Sequence, residues 1–274
     1  MSSILTNNSA MVALQTLKSI NSDLSKTQSM ISTGKEVATA KDNSAIWGIS
    51  KVMESDVAGF KAVSDSLALG ESTVAVASAG AEQITDILND MKEKVVAATG
   101  ENVDNAKITA DVDEMKAQIT SIISASQFNG ANLLDTAGGD ITVLSSLDRD
   151  SSGTVTASNI TVSSVDFEAG LDLTTIDVSS AAAADTSLAA METLIQTAVD
   201  GAASLGASAS RISDQNEFVG KVSDAIKSGI GSLVDADMEE TSAKLQALQV
   251  QQQLGTQSLS IANQAPQSIM SLFR

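Results

Sequence analysis

The stretch that decides the fold runs from Ser44 to Ala98: SAIWGISKVMESDVAGFKAVSDSLALGESTVAVASAGAEQITDILNDMKEKVVAA. Every seventh residue from Ile46 is apolar: Ile46, Met53, Phe60, Leu67, Val74, Ala81, Leu88 and Val95. A companion seam, Ile49, Asp56, Val63, Gly70, Ala77, Ile84, Met91 and Ala98, is broken only by the charge of Asp56. Two such lines in heptad register keep one stripe of a helix turned toward partner helices. No proline falls in the window. One unbroken helix of roughly 80 Å is therefore expected, at about 1.5 Å per residue.

Working outward, a second long pattern begins near Ala181. Its seam is Ala184, Met191, Ala198, Leu205, Ile212, Val219, Ile226 and Leu233, accompanied by Leu188, Ile195, Ala202, Ala209 and Ile230. The phase then slips: Ile230, Val234 and Met238 are two four-residue steps in succession, a stutter, with Gly229, Gly231 and Ser232 beside it. We read a domain joint there. Beyond it the pattern continues as Val234, Met238, Thr241, Leu245, Leu248, Gln252, Gly255, Leu259 and Ala262. A shorter helix is expected over Ile108, Val112, Met115, Ile119 and Ile122, ending near Ser126, with Asn102 or Asp104 to cap its start. A weaker N-terminal seam is Ala10, Ala13, Leu17, Ile20, Leu24, Thr27 and Ile31, and Ser32-Thr33-Gly34 should end that helix.

Residues 129–180 differ. Asn129-Gly130 is a tight-turn pair and Gly138-Gly139 a breaker. Ile141–Val143, Thr154–Thr156, Ile160–Val162 and Ile176–Val178 are short β-type stretches. Ser and Thr make up 18 of the residues from Thr136 to Ser187, and acids dominate, so high exposure is expected.

The 274-residue composition excludes most catalytic chemistry: Cys 0, His 0, Tyr 0. No disulfide, thiolate nucleophile, Ser-His-Asp triad or His-ligated zinc site is possible. Hydrophobic residues are 43% but aromatics only 2%, which suits thin helix–helix seams better than a thick core. The net charge of −18 argues against nucleic acid and anionic membrane surfaces, and favours a soluble monomer. No apolar run approaches the ~20 residues of a bilayer span. Met1–Ser9 has no basic n-region and no long apolar h-region, so no cleaved secretory signal is expected.

The two ends behave alike. Lys18 is the first charged residue, and Leu245–Phe273 carries no charge. Eight glutamines in the latter span exclude a membrane helix. A second apolar line, Ala243, Ala247, Val250, Leu254 and Ile261, accompanies the first. Two readings stand side by side: ends that order only on assembly with partners, or a C-terminal amphipathic helix in an ordinary bundle.

Candidate chemistry is thin. Asp148-Arg-Asp150-Ser-Ser152-Gly153 opens like an EF-hand loop, but its twelfth position is Asn159, not Glu. Asp235-Ala-Asp237-Met-Glu239-Glu240 fits a helix N-terminal charge set better than a metal site. No Gly-rich phosphate loop occurs. Met53, Met91, Met115, Met191 and Met238 fall on seam positions and read as core filling. Trp47 packs at the start of the long helix. The reading requires no metal or cofactor and predicts no enzyme activity.

With this layout, the chain resembles the bacterial flagellins over roughly 1–135 and 200–274. The strongest block is Ile31-Ser-Thr-Gly-Lys-Glu-Val-Ala-Thr-Ala-Lys-Asp-Asn-Ser-Ala45, similar to the family's L-S-S-G-L-R-I-N-S-A-K-D-D-A-A linker, with matches at Ser32, Gly34, Ala40, Lys41, Asp42 and Ala45. Gln127-Phe-Asn-Gly-Ala-Asn-Leu-Leu134 resembles F-N-G-x-x-L-L, and Leu205-Gly-Ala207 with Arg211 resembles L-G-A-x-x-N-R. Asp235-Ala-Asp237, Gln251–Leu254 and Ala262-Asn-Gln264 resemble the family's C-terminal helix.

The resemblance implies a mainly α fold: an elongated rod of long coiled-coil or bundle helices with a small β-hairpin region. The N- and C-terminal helices would pair in an inner coiled-coil domain. The expected parts are a terminal arm over 1–43 with its linker at 32–43, and rod segments over 44–135 and 181–230. A variable exposed segment takes up 136–180, and a C-terminal arm 231–274. Leu17, Ile20, Leu24, Ile31, Met238, Leu245, Leu248, Gln252, Leu259 and Ala262 are the expected polymer interface of the inner domain. The rod seam is Ile46, Met53, Phe60, Leu67, Val74, Leu88, Met191, Leu205, Ile212 and Val219.

The function implied is that of a secreted, self-polymerising subunit of the extracellular flagellar filament, for swimming motility. It would be exported unfolded by the flagellar type III apparatus. Expected partners are other copies, a filament cap protein, a hook–filament junction protein and a cytosolic export chaperone. The alternatives are a hook–filament junction protein, or a soluble helical scaffold or secreted coiled-coil effector. Missing Cys and near-missing Pro would ease threading through a narrow channel. Two departures stand out. Glu36 replaces the family's linker Arg and Asn43 its second Asp. Leu88-Asn-Asp-Met-Lys-Glu93 occupies the L-Q-R-V-R-E stretch that a vertebrate innate receptor reads, and Asp90 reverses a charge there, so the epitope of Leu88, Asp90 and Glu93 is altered.

Overall fold

A computed structural model describes residues 7–271, without the side chains of 265–271. The opening Met1–Thr6 and the end of the uncharged stretch, Leu272 and Phe273, lie outside the described residues. The elements are α1 (Asn8–Thr33), α2 (Ser44–Ala98), α3 (Asn105–Ala125), β1 (Gln127–Phe128), β2 (Ala131–Asn132), β3 (Ile141–Arg149), β4 (Val155–Val162), α4 (Phe167–Gly170), a 3-10 turn (Leu173–Thr175), α5 (Ala181–Val234) and α6 (Met238–Ser271). The fold is mainly α with two small antiparallel hairpins, β1–β2 and β3–β4.

Helix ends follow local chemistry. Asn7 caps α1, its side chain accepting from the Ala10 N–H at 3.1 Å. Gly34 ends α1 at φ +69°, a left-handed conformation that glycine adopts without penalty, and its N–H donates to the Met30 carbonyl. Asn43 starts α2 by accepting from the Ala45 and Ile46 N–H groups at 3.2 Å each. Asp237 starts α6 through the Glu239 and Glu240 N–H groups, and those two carboxylates complement the helix dipole.

The stutter lies within a helix rather than at its end. Gly229–Gly231 lies inside α5, which continues to Val234, and the break is Asp235–Asp237. Two four-residue steps only rotate the apolar line. The rotation buries Val234 at 2% exposure and leaves Leu233, the expected seam residue, 40% exposed.

The chain divides into two compact units, one made of residues up to Ser55 and from Ala225, the other of Asp56–Asp224. In the second, α2 and α5 run antiparallel: the Ser64 hydroxyl donates to Asn216 Oδ1 at 2.7 Å, and Lys92 pairs with Glu192. Leu67, Val74, Leu88, Met191, Leu205, Ile212 and Val219 are buried along this seam, and Phe60 packs against it. Val112, Ile119 and Ile123 of α3 complete the helical core. Each large side chain so buried stabilises the unit by about 1.5–3 kcal/mol.

The β3–β4 hairpin covers the Asp56–Gly70 part of the companion seam. The Leu144 N–H donates to Ser66 Oγ at 3.2 Å, and Gln215 Nε2 donates to the Ser145 carbonyl at 2.9 Å. Arg149 forks onto Asp56, with Nη2 at 2.6 Å and Nε at 3.1 Å. Asp56, the one charge in that seam, is thus the hairpin's anchor. Gly70 is its closest approach: a Cβ there would lie 2.5 Å from Val143 Cγ2. Ile49, at the other end of the companion seam, is 54% exposed.

Most residues of 136–180 are exposed, whereas a set of its apolar side chains is turned inward. Val143, Ile160, Val162, Phe167, Leu171, Ile176 and Val178 are all buried. Alternation turns Val143, Ile160 and Val162 inward while Thr142 and Thr161 face out, and at the register shift between Leu144 and Ser146 the Ser145 side chain is buried too. Ile176–Val178 is not a strand: it follows the 3-10 turn, and its apolar side chains sit in the core. Val165 and Phe167 donate their N–H groups to the Leu133 and Leu134 carbonyls at 2.7 and 3.0 Å, tying the segment down. Asp150 closes the β3–β4 turn by accepting from the N–H groups of Ser152 and Thr154 and from the Ser152 hydroxyl.

Two outcomes are expected. Gly70→Leu should unseat Val143 and destabilise the protein by about 1–3 kcal/mol in denaturant unfolding, despite leucine's better helix propensity, and Val143→Ala should recover part of the loss. An unchanged midpoint would remove the hairpin's claim on this site. The second concerns pH. Hydrogen bonds hold Asp150 below the usual carboxylate range, the Ser152 hydroxyl first and the Thr154 N–H next. A lowered folded pKa gives stability that is present above the unfolded value near 3.9 and lost as pH falls through the folded value. Asp150→Asn should therefore lower the thermal midpoint at pH 7, and the gap to wild type should narrow as pH falls below the unfolded value. A constant gap across that range would count against the assignment.

Candidate functional site

The termini form the site. α1 packs along α6 in the first unit. Their register is antiparallel: Asn7 Nδ2 donates to the Ala262 carbonyl at 2.7 Å and Gln252 Nε2 to Asn21 Oδ1 at 2.7 Å. Between these contacts, Leu17 and Ile20 close over Gly255, whose missing side chain leaves them room: a Cβ would lie 3.1 Å from Leu17 Cδ1.

The expected interface residues lie mostly in this pairing. Leu17, Ile20, Leu24, Ile31, Leu245, Gln252, Leu259 and Ala262 are half-buried, and Leu248 is buried. Met238, at the first turn of α6, is 44% exposed. The second apolar line is left uncovered: Val250, Leu254 and Ile261 are exposed, the last at 70%. α1 carries exposed apolar residues too, Met11, Val12 and Leu14. Reading a single seam on α1 missed them; the signal was their position off the Ala10–Ala13–Leu17 line in a stretch without charge.

The linker binds the two arms at their base. Lys35 and Asp235 form an isolated antiparallel bridge. The Glu36 N–H donates to the Val234 carbonyl at 2.7 Å, and the Ala236 N–H to the Gly34 carbonyl at 3.0 Å. Val37 and Val234 are buried beside it. Backbone contacts of this kind do not need the family's Arg, which is Glu36 here and exposed. Asn43 stands in for the second Asp as the α2 cap. Asp42 accepts from the Thr39 N–H and hydroxyl, which holds its carboxyl below the usual range.

The rod-seam residues divide between the two units. Ile46 and Met53 are half-buried in the first, where Met53 Cε would meet a Cβ on Gly229 at 3.4 Å. The other eight belong to the second. In the receptor-like stretch, Leu88 is wholly buried, whereas Asp90 and Glu93 are exposed. Among the described residues no cluster of three or more carboxylates could hold a metal ion, and no helix is long and apolar enough to cross a membrane.

Comparison with known proteins matches both ends. The bacterial flagellin N-terminal helical region fits residues 4–138 and the C-terminal helical region residues 188–273. Flagellin FljM of Caulobacter vibrioides is 43% identical over 100% of this chain and 99% of its own. Flagellin FljK of the same organism is 44% identical over the same shares, and a flagellin of Brucella melitensis is 42% identical over 100% of both. The crystal structure of Bacillus cereus flagellin aligns with 56% of this chain and 86% of its own, at TM-score 0.49 and 23% identity. With both ends matched and relatives of this identity running its whole length, the chain belongs to the bacterial flagellins, the structural subunits of the flagellar filament.

Proposed function

We infer that this subunit polymerises through the uncovered apolar line of its paired terminal helices. The carrying observation is that Met11, Val12, Leu14, Val250, Leu254 and Ile261 stay exposed after α1 and α6 have packed together. Apolar surface in an uncharged setting is a protein-contact surface rather than a solvated one. The arms 1–43 and 231–274 make the inner domain of the filament, with Leu17, Ile20, Leu24, Ile31, Leu245, Leu248, Gln252, Leu259 and Ala262 holding the pair in register. Met238 joins the contacts between copies. Segments 44–135 and 181–230 form the rod around its seam residues, and 136–180 is the short variable segment.

Export is through the flagellar type III apparatus, in an unfolded state. The absence of Cys and the single proline support it: no disulfide can lock the chain, and slow isomerisation is nearly excluded. A cytosolic chaperone holds the subunit before export. The hook–filament junction protein receives the first subunits, and a cap protein guides the later ones into the extracellular filament.

Seeded polymerisation of purified monomer, followed by electron microscopy and sedimentation, tests this reading. Wild type should give tubular filaments. Leu254→Ser with Ile261→Ser should raise the critical concentration about tenfold or more, since each side chain buried on assembly contributes about 1.5–3 kcal/mol and 1.4 kcal/mol is tenfold. Helix content should stay unchanged, because both residues are exposed in the monomer. Normal polymerisation by the double variant would refute the assignment of the contact line.

The receptor reading carries over to Asp90 and Glu93. Asp90 places an exposed negative charge where the family motif has Arg, so recognition by the vertebrate innate receptor should be weak, and Asp90→Arg should raise it in a reporter-cell assay. Full-strength signalling by wild type would overturn this.

A further inference from the structure

The charge of this chain is unevenly placed. Residues 56–224 carry 26 acidic and 8 basic side chains, and the remainder carries eight of each. The whole −18 therefore sits in one unit and the other is neutral. Within the acidic unit most cations are already taken: Lys92, Lys94, Lys107, Lys116, Arg149 and Lys221 all form ion pairs. A filament stacks many copies of this unit, and like charges repel across the ~8–10 Å screening length of ordinary salt.

The neutral unit holds cations that are not committed. A groove of about 550 Å³ runs between α1 and the linker, lined by Ser25, Lys26, Ser29, Lys35 and Lys41, with Glu36 and Asp42 also on its wall. Asp42 is turned to Thr39, and Lys26 acts on it only at longer range. Lys35 reaches Glu54 at 3.8 Å, a loose pair. Lys26 and Lys41 form no ion pair among the described residues. Serine hydroxyls between lysines supply further donors for a carboxylate.

A complementary face exists on the acidic unit. Glu82, Asp86, Asp90 and Glu93 are exposed and fall within one quadrant of α2, opposite its buried line Ala81, Ile84, Leu88, Met91 and Val95. None of the four forms an ion pair among the described residues, although Lys92 and Lys94 stand between and beyond them, turned to Glu192 and Asp111.

We propose that the Lys26–Lys35–Lys41 groove of one copy receives the Glu82–Glu93 face of a second copy of this chain in the filament. The proposal rests on the polymerising subunit described above and adds a polar contact to its apolar one. The contact offsets part of the repulsion between acidic units and makes assembly depend on ionic strength at this site.

The test is charge reversal with compensation, in seeded polymerisation of the full chain. At about 50 mM salt, Lys26→Glu with Lys41→Glu should raise the critical concentration about tenfold, and at about 0.5 M salt the difference should shrink to within about threefold. Adding Asp86→Lys with Asp90→Lys should restore low-salt assembly, while those two substitutions alone should impair it. Carbodiimide treatment of filaments grown from mixed light and 15N-labelled chains should join Lys26 or Lys41 to Glu82–Glu93 across light–heavy pairs. Circular dichroism of each monomer reports folding. Assembly of the Lys26/Lys41 variant at the wild-type concentration overturns the groove contact and leaves the filament reading standing. So does impaired assembly without rescue, or cross-links confined within one chain. Absence of wild-type filaments overturns both.

Discussion

The packing of α2 against α5 in the Asp56–Asp224 unit is the contact the other elements depend on. A chain with 2% aromatics has no large rings with which to fill a thick interior. It buries apolar surface instead by laying long seams together, with Leu, Val, Met and Ala at each turn, and one seam covers only one stripe of each helix. Both helices carry more apolar residues than that stripe holds. Everything between them in sequence serves to cover the excess. α3 brings Val112, Ile119 and Ile123, the β3–β4 hairpin brings Val143 and Ile160, and the segment after it brings Phe167, Ile176 and Val178. The small elements have short ladders of their own and are held by the helices they cover.

The same physics explains which parts could be read from the sequence. The heptads from Ile46 to Val95 and from Ala184 to Val219 are local patterns, and the helices they announce are present as α2 and α5. Gly34 as a helix terminator is decided within a few residues and was equally legible. Asp56 and Gly70 were not. Each is a defect when only its own helix is considered, and each makes sense through a partner far along the chain: Arg149 for the one, Val143 for the other. A glycine within an otherwise strong helical pattern is the available signal, since its cost in propensity calls for a close neighbour. Over 136–180 the many Ser and Thr residues mark a largely exposed segment, but composition does not show that Val143, Ile160 and Val162 are buried: in a strand every second residue can face the core, so polar content and burial coexist.

In the terminal unit, the α1 and α6 seams are local patterns and their pairing follows, including the Leu17, Ile20 and Gln252 contacts. The periodicity says which residues share a stripe and not which of two stripes the partner helix takes. On α6 the line through Leu245, Leu248 and Leu259 turned inward and the line through Val250, Leu254 and Ile261 stayed out. Among the described residues of this unit, which are α1, α6, the linker, the first turns of α2 and the last turns of α5, Val250, Leu254 and Ile261 of the second stripe stay exposed. An excess that the other unit buries within itself is left here for contacts outside the pair.

The absence of charge from Leu245 through the described part of α6 follows from that exposure. An ion on a surface that becomes buried against another copy must be desolvated, which costs several kcal/mol unless a well-placed counter-ion meets it. Glutamine keeps the free arm hydrated and needs only a hydrogen-bond partner after burial, as Gln252 already shows by donating to Asn21 within the monomer. The net charge has collected instead on the Asp56–Asp224 unit. The residue types thus separate surfaces by what meets them: alanine, leucine and glutamine along the arms where protein does, aspartate and glutamate where solvent or, at Glu82–Glu93, the proposed lysine groove does.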